Sequence, residues 1–236
     1  MHVIDVPASQ GLLWIKQAWA IFVRHPAIWI ALLSGWLLIT LTLFLIPLAG
    51  PALATMLQPV FFGGLMLAAR DQDLGRPVAI AHLFAGFRVN GRALMSVGSI
   101  TLLTEILILL LMGSLGLGAD IPPAGQDERA NLQALLQSLD GKEWIVLLGL
   151  ALLLLVKGVL WFVPPLLVFH PMPVGHALRW SFFAFVSNFS ALLIFGILMM
   201  LIYGVSIFPF GLGLLVSIPL FAIGNYTSFR GSFSGD

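Results

Sequence analysis

Polar residues punctuate this chain only at intervals, and the apolar stretches between them are long. A helix needs about 20 apolar residues to cross a hydrocarbon core of about 30 Å. Six stretches approach that length: residues 26–46, 51–69, 93–117, 144–169, 191–208 and 212–223, the last running on towards Ser228. Pro26 suits the first helical position of the first span, and Pro47 ends it. The fifth and sixth spans are separated only by Pro209, Phe210 and Gly211 and read as a tight hairpin. Residues 9–24 have a different pattern. Ser9, a good N-cap residue, shares one helical face with Gln10, Lys16, Gln17 and Arg24, while Leu12, Ile15, Trp19 and Phe22 lie on the other. That is the pattern of an amphipathic helix lying in the membrane interface. It lacks the short apolar core and cleavage site of a signal peptide.

Composition agrees. Of 236 residues, 60% are hydrophobic and 9% charged, against about 45–50% and about 25% in soluble domains. So few charges cannot cover a water-facing surface, and the chain reads as one integral membrane domain over 1–236. A net charge of +1 excludes a polybasic nucleic-acid binder, and zero Cys excludes disulfides, thiolate metal sites and cysteine nucleophiles. Basic residues set the orientation. Lys16, Arg24, Arg70, Arg76, Arg88, Arg92, Arg179 and Arg230 fall on one side of a six-span map, with all five His; Arg129 and Lys142 fall on the other. Both termini are therefore expected in the cytoplasm. The long outer loop, 119–143, carries Asp120, Asp127, Glu128, Asp140 and Glu143, with a short amphipathic helix expected over 131–139.

Three segments align without gaps: Gln17-Ala-Trp-Ala-Ile-Phe22-Val-Arg-His25, His82-Leu-Phe-Ala-Gly-Phe87-Arg-Val-Asn90 and Trp180-Ser-Phe-Phe-Ala-Phe185-Val-Ser-Asn188. Each ends in His or Asn just before a span, where an N-cap is wanted, and carries aromatics suited to headgroup depth. A second marker follows in the same order: Pro59, Pro165 and Pro219, each inside an apolar run near its cytoplasmic exit. The architecture expected is all-α, with six transmembrane helices, three cytoplasmic-side interfacial amphipathic helices and a threefold internal repeat (9–76, 77–172, 173–236).

Gly11-Leu-Leu-Trp-Ile-Lys, Pro77-Val followed by Leu83-Phe-Ala-Gly-Phe87-Arg, and Val174-Gly-His-Ala-Leu-Arg-Trp-Ser-Phe carry a resemblance. With these the chain resembles the uncharacterised multi-spanning inner-membrane proteins of betaproteobacteria. More distantly it is similar to the membrane domain of bacterial glycerophosphodiester phosphodiesterases, where an Ala-Leu-x-x-Ser helix also precedes a span. The resemblance implies a Gram-negative cytoplasmic membrane and transfers no catalytic residue.

Glu105 and Lys157 are the charges lying well inside the expected spans, and intramembrane ionisable groups are functional candidates. Each lies 13 residues from a cytoplasmic marker, Arg92 and His170 respectively, or about 20 Å of helix. On consecutive antiparallel spans they are placed to meet, as a structural ion pair or as a proton or ion relay. His82, His170 and His176 lack the supporting ligands of a metal site, and no metal or cofactor is expected. Asp71 and Asp73 read as a solvated charged turn, and Gly63-Gly64 as a site of close helix packing. Asn188-Phe-Ser190 and Asn225-Tyr-Thr227 match a glycosylation pattern on the wrong side of the membrane and are set aside. No nucleotide-binding, zinc-protease or Ser-His-Asp pattern appears.

The function expected is non-enzymatic. The interfacial helices, with Lys16, Arg24, Arg88, Arg92 and Arg179, would form a collar for membrane lipids or a membrane protein partner. Transport or conduction through Glu105 and Lys157 is the alternative, and a lipid enzyme is a third class without a convincing polar cluster. No nucleic-acid partner is expected.

Overall fold

A computed structural model describes residues 2–117, 139–208 and 210–234. The expected helix at 131–139 and the outer-loop residues Asp120, Asp127, Glu128 and Arg129 lie outside the described residues, except Leu139, as does Pro209. The described helices are α1 (Gln10–Phe22), α2 (Pro26–Phe44), α3 (Ala49–Asp73), α4 (Ala85–Ser114, preceded by a 3₁₀ turn, Ile80–Phe84), α5 (Glu143–Val159), α6 (Val163–Phe169), α7 (Val174–Ser187), α8 (Phe189–Ile207) and α9 (Leu214–Ser232). Two short strands, β1 (His2–Val3) and β2 (Phe233–Ser234), pair antiparallel and join the two ends of the chain.

Five segments have the length and apolarity to cross a membrane: α2, α3, the 3₁₀ turn with α4, α5 with α6, and α8. The sixth expected span, α9, has 19 residues but differs in character. Its second half carries Asn225, Tyr226, Thr227 and Ser228, all buried inside the protein.

The chain divides into two compact units. The first comprises Met1–Ser99 and Val159–Asp236, the second Ile100–Gly158. The first unit holds the core, in which Trp14, Trp29, Phe162 and Phe195 are fully buried. Edge-to-face contacts link Trp14 to Phe195 at 6.4 Å, and Trp161 to Phe195 at 5.6 Å and Phe221 at 5.4 Å. Such aromatic pairs add about 1 kcal/mol each beyond the area they bury. Glycines let backbones touch: a Cβ on Gly64 would strike the carbonyl of His82, and one on Gly98 the carbonyl of Met56. That close approach suits helix packing in lipid, where dispersion replaces the hydrophobic effect between helices.

Helix α1 keeps part of its apolar face outward. It packs against α8 and α9 through Gly11, Trp14, Ala18, Ile21 and Phe22, while Leu12 and Trp19 stay exposed. Those two face outward, where apolar side chains are at home in a bilayer. The fourth span is broken ahead of Pro165, one of the three prolines marked in the sequence: α5 ends at Val159 and α6 starts at Val163. Pro164 and Pro165 have no N–H to give to the carbonyls of Leu160 and Trp161, and a ring at either position crowds the preceding turn.

The aligned residues His25, Asn90 and Asn188 do mark elbows. Their backbones leave the helical region at φ/ψ of −147°/65°, −157°/48° and −105°/21°. They do not act as the side-chain N-caps expected of them: neither His25 nor Asn188 makes a capping hydrogen bond. Asn188 instead donates through Nδ2 to the Ile4 carbonyl and accepts through Oδ1 from the Val6 N–H, both at 3.0 Å. Asn90 donates to the carbonyl of Leu167 at 3.2 Å, which Pro171 has left without its helical donor. The carbonyl of Trp161, freed by Pro165, is met in the same way by Asn225 Nδ2 at 3.2 Å. Ser181 bridges the same break, donating to the Val159 carbonyl at 2.6 Å and accepting from the Phe162 N–H at 3.0 Å. A membrane helix tolerates proline where neighbours re-satisfy the freed groups, and here the neighbours are identifiable side chains.

Candidate functional site

The last turn of α3, Arg70-Asp-Gln-Asp73, is not the solvated turn expected from its charges. It ties together five elements of the first unit. Asp71 accepts from Arg70 at 3.0 Å, meets His82 Nε2 at 3.2 Å and lies 3.7 Å from Arg76. The His82 contact anchors the 3₁₀ turn. Gln72, 2% exposed, accepts from the Trp29 indole at 2.6 Å and donates to the Ile21 carbonyl at 2.7 Å, joining α2 to α1. Asp73 accepts from the Tyr226 hydroxyl at 3.0 Å and pairs with Arg230, whose other nitrogen reaches Gln17 on α1. The Arg70 guanidinium lies 5.5 Å from the Phe169 ring centroid, on α6. The apolar sequence before Arg70 is what brings these polar groups to a helix end, and burial of Gln72 makes its hydrogen bonds obligatory.

The basic residues expected to form a collar lie at the surface. Lys16, Arg24, Arg88, Arg92 and Arg179 are all exposed. Arg24 also donates to the Gln72 carbonyl at 3.3 Å, linking collar and hub. A shallow cleft of about 330 Å³ opens on α7, lined by His176, Arg179, Trp180 and Phe183. Their spacing places all four on one helical face. The Arg179 guanidinium sits 5.8 Å from the centroid of Phe183, and Phe182, Phe183 and Val186 are exposed alongside. A cation beside aromatic rings on an exposed helix is suited to a phosphate group attached to an apolar body. Of the three histidines weighed as ligands, His82 bonds Asp71, His176 lines the cleft, and His170 lies against Phe229. Burial pushes the His170 imidazole below its ordinary pKa. Among the described residues no group of three metal-ligating side chains comes together.

In the second unit, Lys157 Nζ donates to Glu105 Oε1 at 2.7 Å. Their side chains remain 49% and 33% exposed, among exposed leucines such as Leu109 and Leu154. The Met112 side chain of α4 packs onto Gly149 of α5.

Sequence reasoning missed the buried polar seam of α9. Thr227 donates to the Trp14 carbonyl at 3.0 Å, and Ser228 accepts from the Trp161 indole at 3.1 Å. The available signal was a run of four polar or amphipathic residues directly after an apolar stretch, set aside because part of it matches a glycosylation pattern.

No family model matches the chain, and no solved structure matches it. The chain is similar to a probable inner membrane protein of Burkholderia thailandensis, 29% identical over 212 residues, covering 84% of this chain and 75% of the relative. That supports the inner-membrane resemblance and lends nothing to the likeness with the membrane domain of glycerophosphodiester phosphodiesterases. The long apolar helices and this likeness together mark an all-α, multi-pass protein of the inner membrane.

Proposed function

We propose that this is a non-enzymatic inner-membrane protein that holds anionic phospholipid at the cytoplasmic surface through its interfacial helices. The observation that carries the reading is the α7 cleft, where exposed Arg179 lies over Phe183 beside His176 and Trp180. A guanidinium attracts a phosphodiester, and the rings beside it suit the glycerol and upper acyl region. Exposed Lys16, Arg24, Arg88 and Arg92 would add further basic contacts on the cytoplasmic side.

The topology that this requires has six crossings with both termini in the cytoplasm. Five crossings would leave the two ends on opposite sides of the membrane. Pairing of β1 with β2 brings His2–Val3 against Phe233–Ser234, which favours an even number and supports α9 as the sixth. The basic asymmetry supports the side. The threefold repeat draws support from the elbows at His25, Asn90 and Asn188, and from Pro59 and Pro219 inside α3 and α9.

The test is native mass spectrometry of protein exchanged into nanodiscs of phosphatidylethanolamine with or without phosphatidylglycerol. The wild type should retain phosphatidylglycerol in preference. Arg179→Ala should lose about fivefold of that retention, since each basic residue at an anionic surface contributes about 1 kcal/mol. Equal retention of both lipids, or by both proteins, would sink the reading. The alternative, a transporter using Glu105 and Lys157, draws on their 2.7 Å contact; ion uptake into proteoliposomes that is abolished by Lys157→Met would favour it.

A further inference from the structure

The Glu105–Lys157 pair is closed on itself, yet both side chains are substantially exposed. Glu105 lies 13 residues of α4 beyond Arg92 and nine before Ser114. At about 1.5 Å per residue that is some 20 Å from one marker and about 14 Å from the other, well within the hydrocarbon. Exposed Leu109, Leu150 and Leu154 share the helix faces of the pair by their spacing. Charge in contact with acyl chains is costly, and in membrane proteins such groups turn towards protein or water.

We propose that this face of the second unit is covered by a second copy of the chain, related by a twofold axis along the membrane normal. The pair itself identifies the occupant. Glu105 and Lys157 touch across two helices and each lies 13 residues from Arg92 or His170, which places them at a similar depth. A twofold rotation about the normal keeps depth and reverses left and right across the interface. Lys157 of each copy then faces Glu105 of the other, and the four charges alternate around a closed ring. A lysine ammonium has three donors and a carboxylate two acceptor oxygens, so each group has capacity left after its contact within the chain. The leucines around the pair supply a dry surround for the ring. An unrelated partner would need a matching carboxylate and cation at this depth, whereas a second copy carries them by symmetry.

The chain has no cysteine, so single cysteines report without background. Leu154→Cys and Leu109→Cys lie within one helical turn of the pair and leave it intact. Oxidised with copper phenanthroline in native membrane vesicles, each should give a disulfide-linked species at twice the chain mass on a non-reducing gel. Leu201→Cys, exposed on α8, should not. Adding Glu105→Gln with Lys157→Met to Leu154→Cys should lower the dimer fraction by about fivefold, as expected for loss of interhelical polar contacts worth about 1 kcal/mol.

A second experiment holds even where the neutral variant folds poorly. The swapped chain, Glu105→Lys with Lys157→Glu, keeps its internal pair and should cross-link with itself as the wild type does. Mixed with differently tagged wild type it should not, because like charges then face each other. The proposal is overturned by absence of a dimer from both reporter cysteines, by equal cross-linking at Leu201→Cys, by a cross-linked species of another mass, or by free mixing of swapped and wild-type chains.

Discussion

The two units of this protein treat polar groups in opposite ways. In the first, Gln72, Asn188, Asn225 and Thr227 are buried, and their bonds end largely on backbone carbonyls or N–H groups of other elements. In the second, Glu105 and Lys157 pair on a helix surface and remain exposed. The first arrangement repairs a backbone broken by prolines and elbows, so its polar residues serve the fold. The second joins two side chains to each other, and neither meets a backbone group that a break has freed. A polar group in the membrane without a backbone debt is the stronger candidate for an interaction beyond the chain.

Mutations can break or sharpen this contrast. The largest effect is expected in the second unit. Glu105→Gln alone leaves Lys157 uncompensated, at a cost of about 3 kcal/mol for a lone charge near the bilayer centre. Folded yield in mild detergent should fall sharply and recover in the swapped variant; failure to recover would remove the pairing. In the first unit, Gln72→Leu strands the Trp29 indole and the Ile21 carbonyl. The expected loss is about 2 kcal/mol, read as a lower midpoint of thermal unfolding.

A smaller effect should follow Asn188→Ala, which frees the Ile4 carbonyl and the Val6 N–H near the chain end. About 1 kcal/mol of stability is at stake, and the change should be local: faster proteolysis near Ile4 at nearly unchanged global stability. The smallest effect on folding is expected for Arg179→Ala, within about 0.5 kcal/mol for an exposed site. Its effect should show in phosphatidylglycerol retention instead. A large loss of stability there would mean that the cleft belongs to the core, and the contrast between repair and recognition would weaken.

Much of the architecture was legible in the residues. Pro26 starts α2 as its position suggests, and helices α2, α3 and α8 follow the apolar stretches within a few residues. The shared aromatic pattern ending in His25, Asn90 and Asn188 located all three elbows. The meeting of Glu105 and Lys157 followed from equal spacing along consecutive spans. The candidate site was less legible. Its basic members could be named, but the α7 cleft could not, because a cavity depends on how neighbouring side chains stand. Asp71 and Asp73 looked like surface charges since nothing local shows that Tyr226, Arg230 and His82 come to meet them.

The sequence by itself determined which segments belong in lipid and where the chain must bend. Hydropathy over some 20 residues and the missing N–H of proline are local properties, and they act wherever the rest of the chain lies. Only the tertiary structure decided which face of α1 is inside, which side chains satisfy the carbonyls of Trp161 and Leu167, and what becomes of the charges ending α3. Those outcomes depend on groups up to 213 residues apart, as in the Thr227–Trp14 bond, and a hydrogen-bond partner is chosen by proximity in space.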